Sequence, residues 1–514
     1  MVQTFSYHIR TMEERQFFIP DFQAGLDWFN TTSLSFQHDL KGKLVVLDFW
    51  TYCCINCMHV LPELAELEHK YAGKPVVFIG VHSPKFDNEK SSENVRQAIL
   101  RYEIVHPVVN DPKMSMWRSL GVSSWPTLVV VGPTGKILLS MSGEGNKASL
   151  DAFLQEALSF YLPELLDNSI LPLKLEKKKI VTESPLSFPG KLAVDALGGK
   201  LYISDSNHHR IVVTNLEGKT IEIIGKGEPG LSDGNYSSAA FFRPQGLVYH
   251  ENSLYVADTE NHALRKVDLV KKEVITLAGN GEQGRDYRGG ERGKLQKLST
   301  PWDLVIDQAG ELLYIAMAGT HQIWKHEIAS GKTFAWSGSG AEMNLNGDTL
   351  EDTAWAQPSG LTLSPEELFI ADSESSSIRA INLKTHNART LVGGDATQPR
   401  NLFAFGDKDG AQDQARLQHP LGVIWVPSLK SVIVADTYNH RLKRLDPDNE
   451  EITQWVGSGK AGYRDGLSFQ TQFSEPSGFA LSPDETLLYV ADTNNHLVRI
   501  IDLKTLNSST LKIS

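Results

Sequence analysis

Two patterns of apolar and polar positions divide the chain into two parts. In the first part, residues 1–165, the continuous apolar runs 44–50 and 76–83 predict buried strands. Apolar residues at helical spacing predict a helix that begins just after Cys54, and a hairpin is expected to turn at 132–135. Strands that alternate with helices and end in a hairpin predict a small layered α/β domain.

The second part, residues 185–514, is a repeat of short β-branched runs and glycine-rich turns. Residues 166–184, between the two parts, lack a clear period and are expected to form a linker. The most regular segment recurs six times, at 203–213, 256–267, 315–326, 370–381, 434–445 and 490–501. A proline precedes each copy: Pro189, Pro244, Pro301, Pro358, Pro420 and Pro476. Each unit holds about four short strands, and a ring of such sheets buries faces that one sheet leaves exposed. The repeat therefore predicts an all-β six-bladed propeller, with 508–514 as the outer strand of the last blade.

Two polar positions recur within the repeat. The first is occupied by Asp205, Asp258, Asp372, Asp436 and Asp492, with Met317 as the exception. The second is occupied by His209, His262, His321, His440 and His496, with Ser376 as the exception. A ring of Asp and His side chains suggests a metal-lined channel. However, a residue that recurs in nearly every blade is expected to have a structural role that all blades share, and an Asp at a strand end accepts hydrogen bonds from the backbone amides of the turn. We interpret both positions as structural. A propeller site is expected where the pattern breaks, at Met317 and Gly319 or within 398–410.

Charge and composition argue against several classes of protein. The net charge of -12 argues against a nucleic-acid binder, which needs a concentrated positive surface. No stretch approaches the roughly 18 apolar residues that suggest a membrane span. The first residues carry charges where a secretory signal needs an apolar core. We therefore expect a cytoplasmic protein that binds neither nucleic acid nor membrane.

All three cysteines, Cys53, Cys54 and Cys57, lie in one short cluster. Structural disulfides would be scattered, so a single cluster indicates thiol chemistry or metal binding. At a helix N-terminus the peptide dipoles stabilise a thiolate, and a second cysteine three residues on can resolve a mixed disulfide. Half a zinc site is the alternative, but no second C-x-x-C exists, and His59 and His82 would complete an unusual ligand set.

Around the cysteines the sequence resembles the thioredoxin-like superfamily. Asp48 lies six residues before Cys54, Pro62 lies five after Cys57, and 125–127 reads Trp-Pro-Thr, as in the cis-proline loop of that superfamily. The resemblance implies that Cys54 attacks a disulfide and Cys57 resolves the product. It also implies that Asp48 relays protons to Cys57, and that Pro126 faces the cysteines and docks substrate backbone.

The sequence departs from the superfamily in the cysteine loop. Cys53 stands where tryptophan is usual, and Ile55-Asn56 replaces Gly-Pro or Pro-Pro. That intervening pair tunes the redox potential, so the direction of the reaction stays open. Adjacent Cys53 and Cys54 could also form a vicinal disulfide or bind a soft metal. We expect Cys53, Trp50 and Trp125 to modulate the pair, and we expect neither a cofactor nor a bound metal.

The repeat resembles the NHL repeat. A thioredoxin-like domain carrying Cys-Cys-Ile-Asn-Cys, followed by an NHL propeller, resembles the NHL repeat-containing protein 2 family over nearly the whole sequence. Longer members of that family carry a further C-terminal β-strand domain. Either this chain resembles a bacterial-type member without that domain, or the sequence is truncated. The resemblance implies a cytosolic protein with a cleft between its two domains.

Three classes of function follow. The first is a thiol–disulfide oxidoreductase whose clients dock on the propeller face or in the interdomain cleft. The second is a non-enzymatic protein-interaction scaffold with a redox-idle thioredoxin fold. The third makes the propeller itself a lyase or lactonase, for which the sequence lacks a unique cluster of acids or histidines.

Overall fold

The computed structural model describes residues 2–178, 184–348 and 350–514. Its contacts divide the chain into two compact units, Met1–Thr182 and Glu183–Ser514. The first is an α/β unit and the second is a ring of six antiparallel sheets, so the fold class predicted from the sequence is confirmed.

The α/β unit is built on one six-stranded sheet. Its strands are Trp28–Phe29 (β1), Leu44–Trp50 (β2), Val76–His82 (β3), Val108–Asn110 (β4), Thr127–Val131 (β5) and Ile137–Ser142 (β6). Its helices are Val2–Glu14 (α1), Ile55–Lys70 (α2), Ser92–Arg101 (α3), Ser115–Ser119 (α4) and Lys147–Phe160 (α5). The strand order is β1-β4-β3-β2-β5-β6, with β2 parallel to β3 and antiparallel to β5. Strand β2 is therefore central and, as its apolar run predicts, all seven of its residues are buried.

Alternate residues of β2 pack on opposite faces of the sheet, as the two-residue period of a strand requires. Val46 belongs to a core shared with α2, α5 and Ile9 of α1. Val45 and Leu47 belong to the core on the other face. Helix α1 was not predicted from the sequence, although Phe5, Ile9 and Met12 have helical spacing.

The segment expected to be a linker, 166–184, packs against the first unit where it is described. Lys43 Nζ donates to the carbonyl oxygens of Asp167 and Ser169, at 2.9 and 2.6 Å. Further along, Lys174 pairs with Asn30 and Glu176 bonds Arg96. Residues 179–183 lie outside the described residues. The described part of this segment therefore belongs to the first compact unit, to which these polar contacts hold it.

Each blade is a sheet of four or five antiparallel strands. In chain order, blade one contains Pro189–Asp195, Lys200–Asp205, Arg210–Asn215 and Thr220–Ile224. Blade two contains Gly234–Asn235, Leu247–His250, Ser253–Asp258, Ala263–Asp268 and Glu273–Ala278. Blade three contains Gly289–Arg292, Pro301–Ile306, Leu312–Met317, Gln322–Glu327 and Lys332–Ser337. Blade four contains Pro358–Leu363, Glu367–Asp372, Ser377–Asn382 and Ala388–Gly393. Blade five contains Gly410–Ala411, Gly422–Val426, Ser431–Asp436, Arg441–Asp446 and Glu451–Val456. Blade six contains Gly466–Leu467, Pro476–Leu481, Leu487–Asp492, Leu497–Asp502 and Asn507–Leu511.

The recurring histidine links each blade to the next. Its Nδ1 accepts the backbone N–H of the residue that precedes the next blade's repeat proline, at 3.0–3.2 Å. In blade four the Ser376 hydroxyl oxygen takes the same role, at 3.3 Å. The pairs are His209 with Arg243, His262 with Thr300, His321 with Gln357, Ser376 with His419, His440 with Glu475, and His496 with Phe188. The last pair joins blade six to blade one.

The recurring aspartate fixes the turn that enters its own blade. Its Oδ1 accepts a backbone N–H at 2.7–2.8 Å in each of the five blades that carry it. In blade three the Met317 sulfur accepts the Ser299 N–H instead, at 3.3 Å. These bonds support the structural interpretation of both recurring positions.

Among the described helices, none combines the length and the apolar character needed to cross a membrane.

Candidate functional site

The cysteine cluster lies where β2 ends and α2 begins. Trp50 is the last residue of β2, and Cys54 is the residue that caps the N-terminus of α2. The Cys54 carbonyl accepts the N–H groups of Cys57 and Met58, at 3.1 and 3.2 Å. Pro62 lies inside α2, which continues through it to Lys70. The placement predicted from the sequence, at a helix N-terminus, is therefore observed.

The two cysteines of the C-x-x-C motif differ in exposure. Cys54 is partly exposed, whereas Cys57 is 1% exposed. Burial raises the pKa of the Cys57 thiol well above its ordinary value, and the neighbouring Cys54 sulfur and the charge of Asp48 act in the same direction. An outside disulfide can therefore reach Cys54, while Cys57 needs a base to become a nucleophile.

Asp48 is 2% exposed, and its charge acts on the Cys57 thiol. Neither of its carboxylate oxygens has a hydrogen-bond partner among the described residues. Burial raises the pKa of Asp48 to about 7, with the charge of His106 opposing the rise and that of Glu68 adding to it. Such a carboxylate can accept a proton near neutral pH, which an exposed aspartate does poorly.

Cys53 is buried and held on the other side of the loop. Its sulfur lies 3.8 Å from Thr51 Oγ1, and its backbone N–H donates to Glu89 Oε1 at 3.0 Å. Glu89 is itself fully buried, and it also accepts from the Thr51 hydroxyl and from the N–H groups of Lys85 and Phe86. Glu89 therefore fixes the start of the cysteine loop. Sequence reasoning missed it, because nothing in its local pattern separates it from a surface glutamate.

The cis-proline loop lies at the same end of the sheet. The Trp125–Pro126 peptide bond is cis. Phe49 pairs with Thr127 in the β2–β5 register, which brings Pro126 to the end of β2 from which the cysteine loop leaves. Trp125 packs on Trp117, with ring centroids 4.4 Å apart, and its Nε1 donates to the Ser83 carbonyl at 2.8 Å.

Trp50 lies over a glycine on the neighbouring strand. A Cβ on Gly80 would come within 2.9 Å of Trp50 Nε1 and 3.2 Å of His106 Nε2, so only glycine fits there. The Trp50 ring also packs on His82, with centroids 5.2 Å apart. Burial lowers the pKa of His82 to about 4, against the opposing hydrogen bond to Asn110. Trp50 thus shapes the floor of the site without a direct role in the chemistry.

His106 and Glu68 were also missed by sequence reasoning. His106 Nδ1 lies 2.6 Å from Glu68 Oε1, and both side chains interact electrostatically with Asp48. Glu68 could have been found from the sequence, because it lies eleven residues after Cys57 and eleven residues bring a side chain back to the same face of α2. His106 gave no such signal, because the sheet register alone brings it to Asp48.

The pattern break expected to mark a propeller site is structural in blade three. Met317 accepts the Ser299 N–H through its sulfur. Gly319 is required because a Cβ there would lie 2.3 Å from the Ser299 hydroxyl. In the segment 398–410, Asp407 pairs with Arg441 and Lys443.

A different break in the repeat marks the propeller axis. Four blades have glycine two residues after the repeat proline, but blade one has Lys191 and blade three has Asp303. Lys191 Nζ lies 3.8 Å from Asp303 Oδ2 and donates to the carbonyls of Leu421 and Ser477. Both charged side chains line a cavity of about 250 Å³ formed by the innermost strands. Lys191 therefore bridges three blades by bonding Asp303 and the carbonyls of blades five and six.

Within the described ranges, no group of three or more His, Cys, Asp or Glu side chains is arranged to hold a metal ion.

Comparison with known proteins agrees with this geometry. The family model for thioredoxin-like proteins matches residues 42–137, and that for the NHL repeat matches 186–213 and 473–501. The chain is 52% identical over 512 residues to Protein SUPPRESSOR OF QUENCHING 1, chloroplastic, from Arabidopsis thaliana, covering 98% of this chain and 48% of that protein. It is 47% identical over 526 residues to NHL repeat-containing protein 2 from Gallus gallus, covering 97% of this chain and 72% of that protein.

A third similarity is confined to the first unit. Over 118 residues the chain is 30% identical to the thiol-disulfide oxidoreductase ResA from Bacillus thuringiensis, covering 23% of this chain and 65% of that protein. The chain spans about half the length of the Arabidopsis relative and nearly three quarters of the Gallus one. Since identity near one half extends over almost the whole chain in the same domain order, the chain belongs to the NHL repeat-containing protein 2 family.

Proposed function

We propose that the protein is a thiol–disulfide oxidoreductase whose propeller binds protein clients. The observation that carries the proposal is the arrangement of three side chains: a partly exposed Cys54 at a helix N-terminus, a buried Cys57 beside it, and a buried, unpartnered Asp48 carboxylate whose charge acts on Cys57. Each is what one step of disulfide exchange needs.

In the first step the Cys54 thiolate attacks one sulfur of a client disulfide. The client S–S bond breaks, a Cys54–client mixed disulfide forms, and the other client sulfur leaves as a thiolate. The N-terminal dipoles of α2 favour the negative charge on Cys54.

In the second step Asp48 takes the proton of Cys57, and the Cys57 thiolate attacks the Cys54 sulfur. The mixed disulfide breaks, the Cys54–Cys57 disulfide forms, and the second client sulfur leaves as a thiolate. The client gains two electrons and the protein loses two. A small or protein dithiol reductant returns the protein to its reduced form.

The propeller supplies no reacting group to these steps. Its recurring polar side chains are engaged in turns and in links between blades, and its axial charges are paired. What it offers is a large, rigid surface, and we propose that this surface selects protein clients.

The test is turnover of a model protein disulfide by the full chain, with a dithiol as reductant. Cys54→Ser should reduce turnover to the uncatalysed rate. Cys57→Ser should accumulate a mixed disulfide with the client, visible by non-reducing electrophoresis and mass spectrometry. Cys53→Ser is the matched control, a third cysteine of the same loop, and should retain turnover.

A titration in graded glutathione buffers distinguishes an oxidoreductase from a non-enzymatic scaffold. A reversible two-electron transition of Cys54 with Cys57, within the span of roughly -120 to -270 mV known for thioredoxin-fold catalysts, supports the proposal. If both thiols stay reduced throughout and Cys54→Ser changes neither turnover nor partner binding, the protein is a non-enzymatic scaffold.

A further inference from the structure

Asp48 and His106 both lie on the side of the sheet to which a side chain at Gly80 would point. Asp48 pairs with Gly80 in the parallel register of β2 and β3, so the two residues face the same side of the sheet. The position of a Cβ on Gly80 lies 3.2 Å from His106 Nε2. His106 Nε2 is buried, and no hydrogen bond to it is found among the described residues. The histidine and the carboxylate therefore lie on the same side of the sheet without a hydrogen bond between them, and neither His106 Nε2 nor the Asp48 oxygens bond any other described residue.

The backbone around His106 is held from two sides. Asn30 Nδ2 donates to the His106 carbonyl at 2.9 Å, and the Gly80 N–H donates to the Pro107 carbonyl at 2.9 Å. The ring itself is oriented by Glu68, whose Oε1 lies 2.6 Å from Nδ1. With Nδ1 bound to Glu68, Nε2 is the ring atom left on the side of Gly80.

Charge supports the same arrangement. Burial acts to lower the pKa of His106, but the adjacent Glu68 carboxylate and the charge of Asp48 outweigh burial and raise it. The imidazole can therefore gain and lose a proton between two carboxyl groups, one buried and one near the surface.

Glu68 leads from this cluster to water. Its side chain is 17% exposed, and it lines a cavity of about 360 Å³ together with His106. Glu68 lies eleven residues after Cys57 along α2, a distance of about 16 Å. The cavity is thus remote from Cys54, where a client would dock.

We propose that His106 and Glu68 conduct the proton of Cys57 from Asp48 to solvent at the far end of α2. The inference rests on the proposed function. Asp48 accepts the Cys57 proton as the Cys57 sulfur attacks Cys54. Because Asp48 and His106 Nε2 are not hydrogen-bonded, a water between them carries that proton to Nε2, while Nδ1 releases one to Glu68, which passes it to solvent. A docked client covers the mouth of the site, so a rear path lets the proton leave without undocking the client.

Every charged or titratable group around this path bears on its pH dependence. Cys54 lies at the N-cap of α2, and Cys57 and Glu68 lie on α2. Asp48 lies on β2, His106 lies just before β4, and His82 of β3 packs on Trp50. The groups on the cavity wall are Lys43, Tyr71 and Lys74. Lys43 is bonded to Asp167 and Ser169, and Tyr71 to Asp151. His106 and Glu68 are the members of this set that connect Asp48 to the cavity.

The test separates the two sulfur steps in the full chain carrying Cys53→Ser. A chromogenic aryl disulfide releases one coloured thiolate when Cys54 attacks it and a second when Cys57 resolves the adduct. The first phase depends on reagent concentration and the second does not. Each variant is followed by stopped flow across a range of pH.

In the parent protein the second phase should accelerate as pH rises through about 7, where Asp48 becomes a base. His106→Gln and Glu68→Gln should slow the second phase at least about tenfold at neutral pH, as loss of a proton-transfer group does, and leave the first phase unchanged. His106→Gln should also move the midpoint to higher pH, because the charge that lowers the Asp48 pKa is gone. Imidazole added to His106→Ala, which opens space beside the cavity, should restore the second phase.

Glu66→Gln is the matched control, since Glu66 lies on the same helix with an exposed side chain paired to Lys147. It should change neither phase. An unchanged first phase shows that each variant is folded at the cysteines. If the parent resolves the adduct but His106→Gln and Glu68→Gln resolve it equally fast, with the same midpoint, the proton path is wrong and the oxidoreductase proposal stands. If the parent shows no second phase, the proposed function fails and the path fails with it.

Discussion

Two buried aspartates, Asp48 in the α/β unit and Asp372 in the propeller, show how differently the two units use the same side chain. Asp372 is fully buried, yet its carboxylate accepts from Arg379 Nη1 at 3.0 Å, Ser375 Oγ at 2.8 Å and the Ala356 N–H at 2.8 Å. Asp48 is as deeply buried, but neither oxygen has a partner among the described residues.

Electrostatics follow this difference. Burial raises the pKa of Asp372, but Arg379 and two hydrogen bonds oppose burial directly. For Asp48 only the charge of His106 opposes burial, and the pKa reaches about 7. A buried carboxylate with several fixed donors holds a structure together, whereas one without them is available to exchange a proton. The comparison therefore distinguishes a carboxylate that can exchange a proton, in the first unit, from one that stabilises a blade, in the second.

The largest expected effect comes from breaking the propeller pair. Asp372→Ala leaves the Arg379 guanidinium buried without its carboxylate, which costs about 3–5 kcal/mol of stability. The loss should appear as faster hydrogen exchange in peptides of blade four in urea, read peptide by peptide because a two-unit chain does not unfold in one transition. Asp448→Ala, at an exposed turn, is the control and should shift exchange very little. Equal shifts in the two variants would show that the Asp372–Arg379 pair contributes no special stability.

Asp48→Asn should have the opposite effect on the first unit. In the folded protein the Asp48 pKa is about 7, against 3.8 for the free side chain, so between these values the folded state binds more protons than the unfolded state. Stability therefore falls as pH rises from about 4 to 7, by up to about 4 kcal/mol at about 1.4 kcal/mol per pKa unit. Asp48→Asn removes this penalty, so the variant should be more stable than the parent above pH 7 and similar to it near pH 4.

Hydrogen exchange of β2 peptides at both pH values measures this change. The same variant should resolve mixed disulfides slowly, which separates its stability from its activity. A variant that is less stable than the parent at high pH would mean that the Asp48 carboxylate has donors in solution and is a structural residue like Asp372.

The sequence predicted the repeat, the strand–helix alternation and the placement of Cys54 because each is encoded locally. Apolar residues with a period of two indicate strands and those with a period of 3.6 indicate helices, and the spacing between similar segments gives the length of the repeat. The exception Met317 was a candidate for a functional departure, and Ser376 was an exception without a stated role. They prove to be substitutes, since a thioether and a hydroxyl oxygen accept the same backbone N–H groups as aspartate and histidine do elsewhere.

The rest of the candidate site could not be predicted, because strand pairing and tertiary contacts bring together residues that are far apart in the sequence. His106 lies far from Asp48 in the sequence and reaches it only because β3 places Gly80 beside both. Glu89 resembles any acidic residue in a polar segment until its four hydrogen bonds are seen. Lys191 and Asp303 did leave a signal, as charged residues where the other blades have glycine, but only an alignment of the repeats on that position exposes it.

The smallest expected effect tests whether the propeller histidines are scaffold alone. Because Ser376 already replaces histidine in blade four, His440→Ser should keep an acceptor for the Glu475 N–H, whereas His440→Ala removes it. Both variants leave the same positive φ at residue 440, so their difference isolates the hydrogen bond. We expect the alanine variant to be less stable than the serine variant by about 1 kcal/mol, measured by hydrogen exchange of blade five and blade six peptides.

Lowering the pH should reduce the difference in stability between the parent and His440→Ser. Burial lowers the pKa of His440, so as pH falls below about 6.5 the unfolded chain takes up a proton that the folded chain does not, and the parent loses stability. Serine does not titrate and loses nothing at this position. If the alanine and serine variants are equally stable, the hydrogen bond between blades contributes nothing measurable to stability. The recurring histidine would then need a role other than accepting that backbone N–H, which is what Ser376 does in blade four.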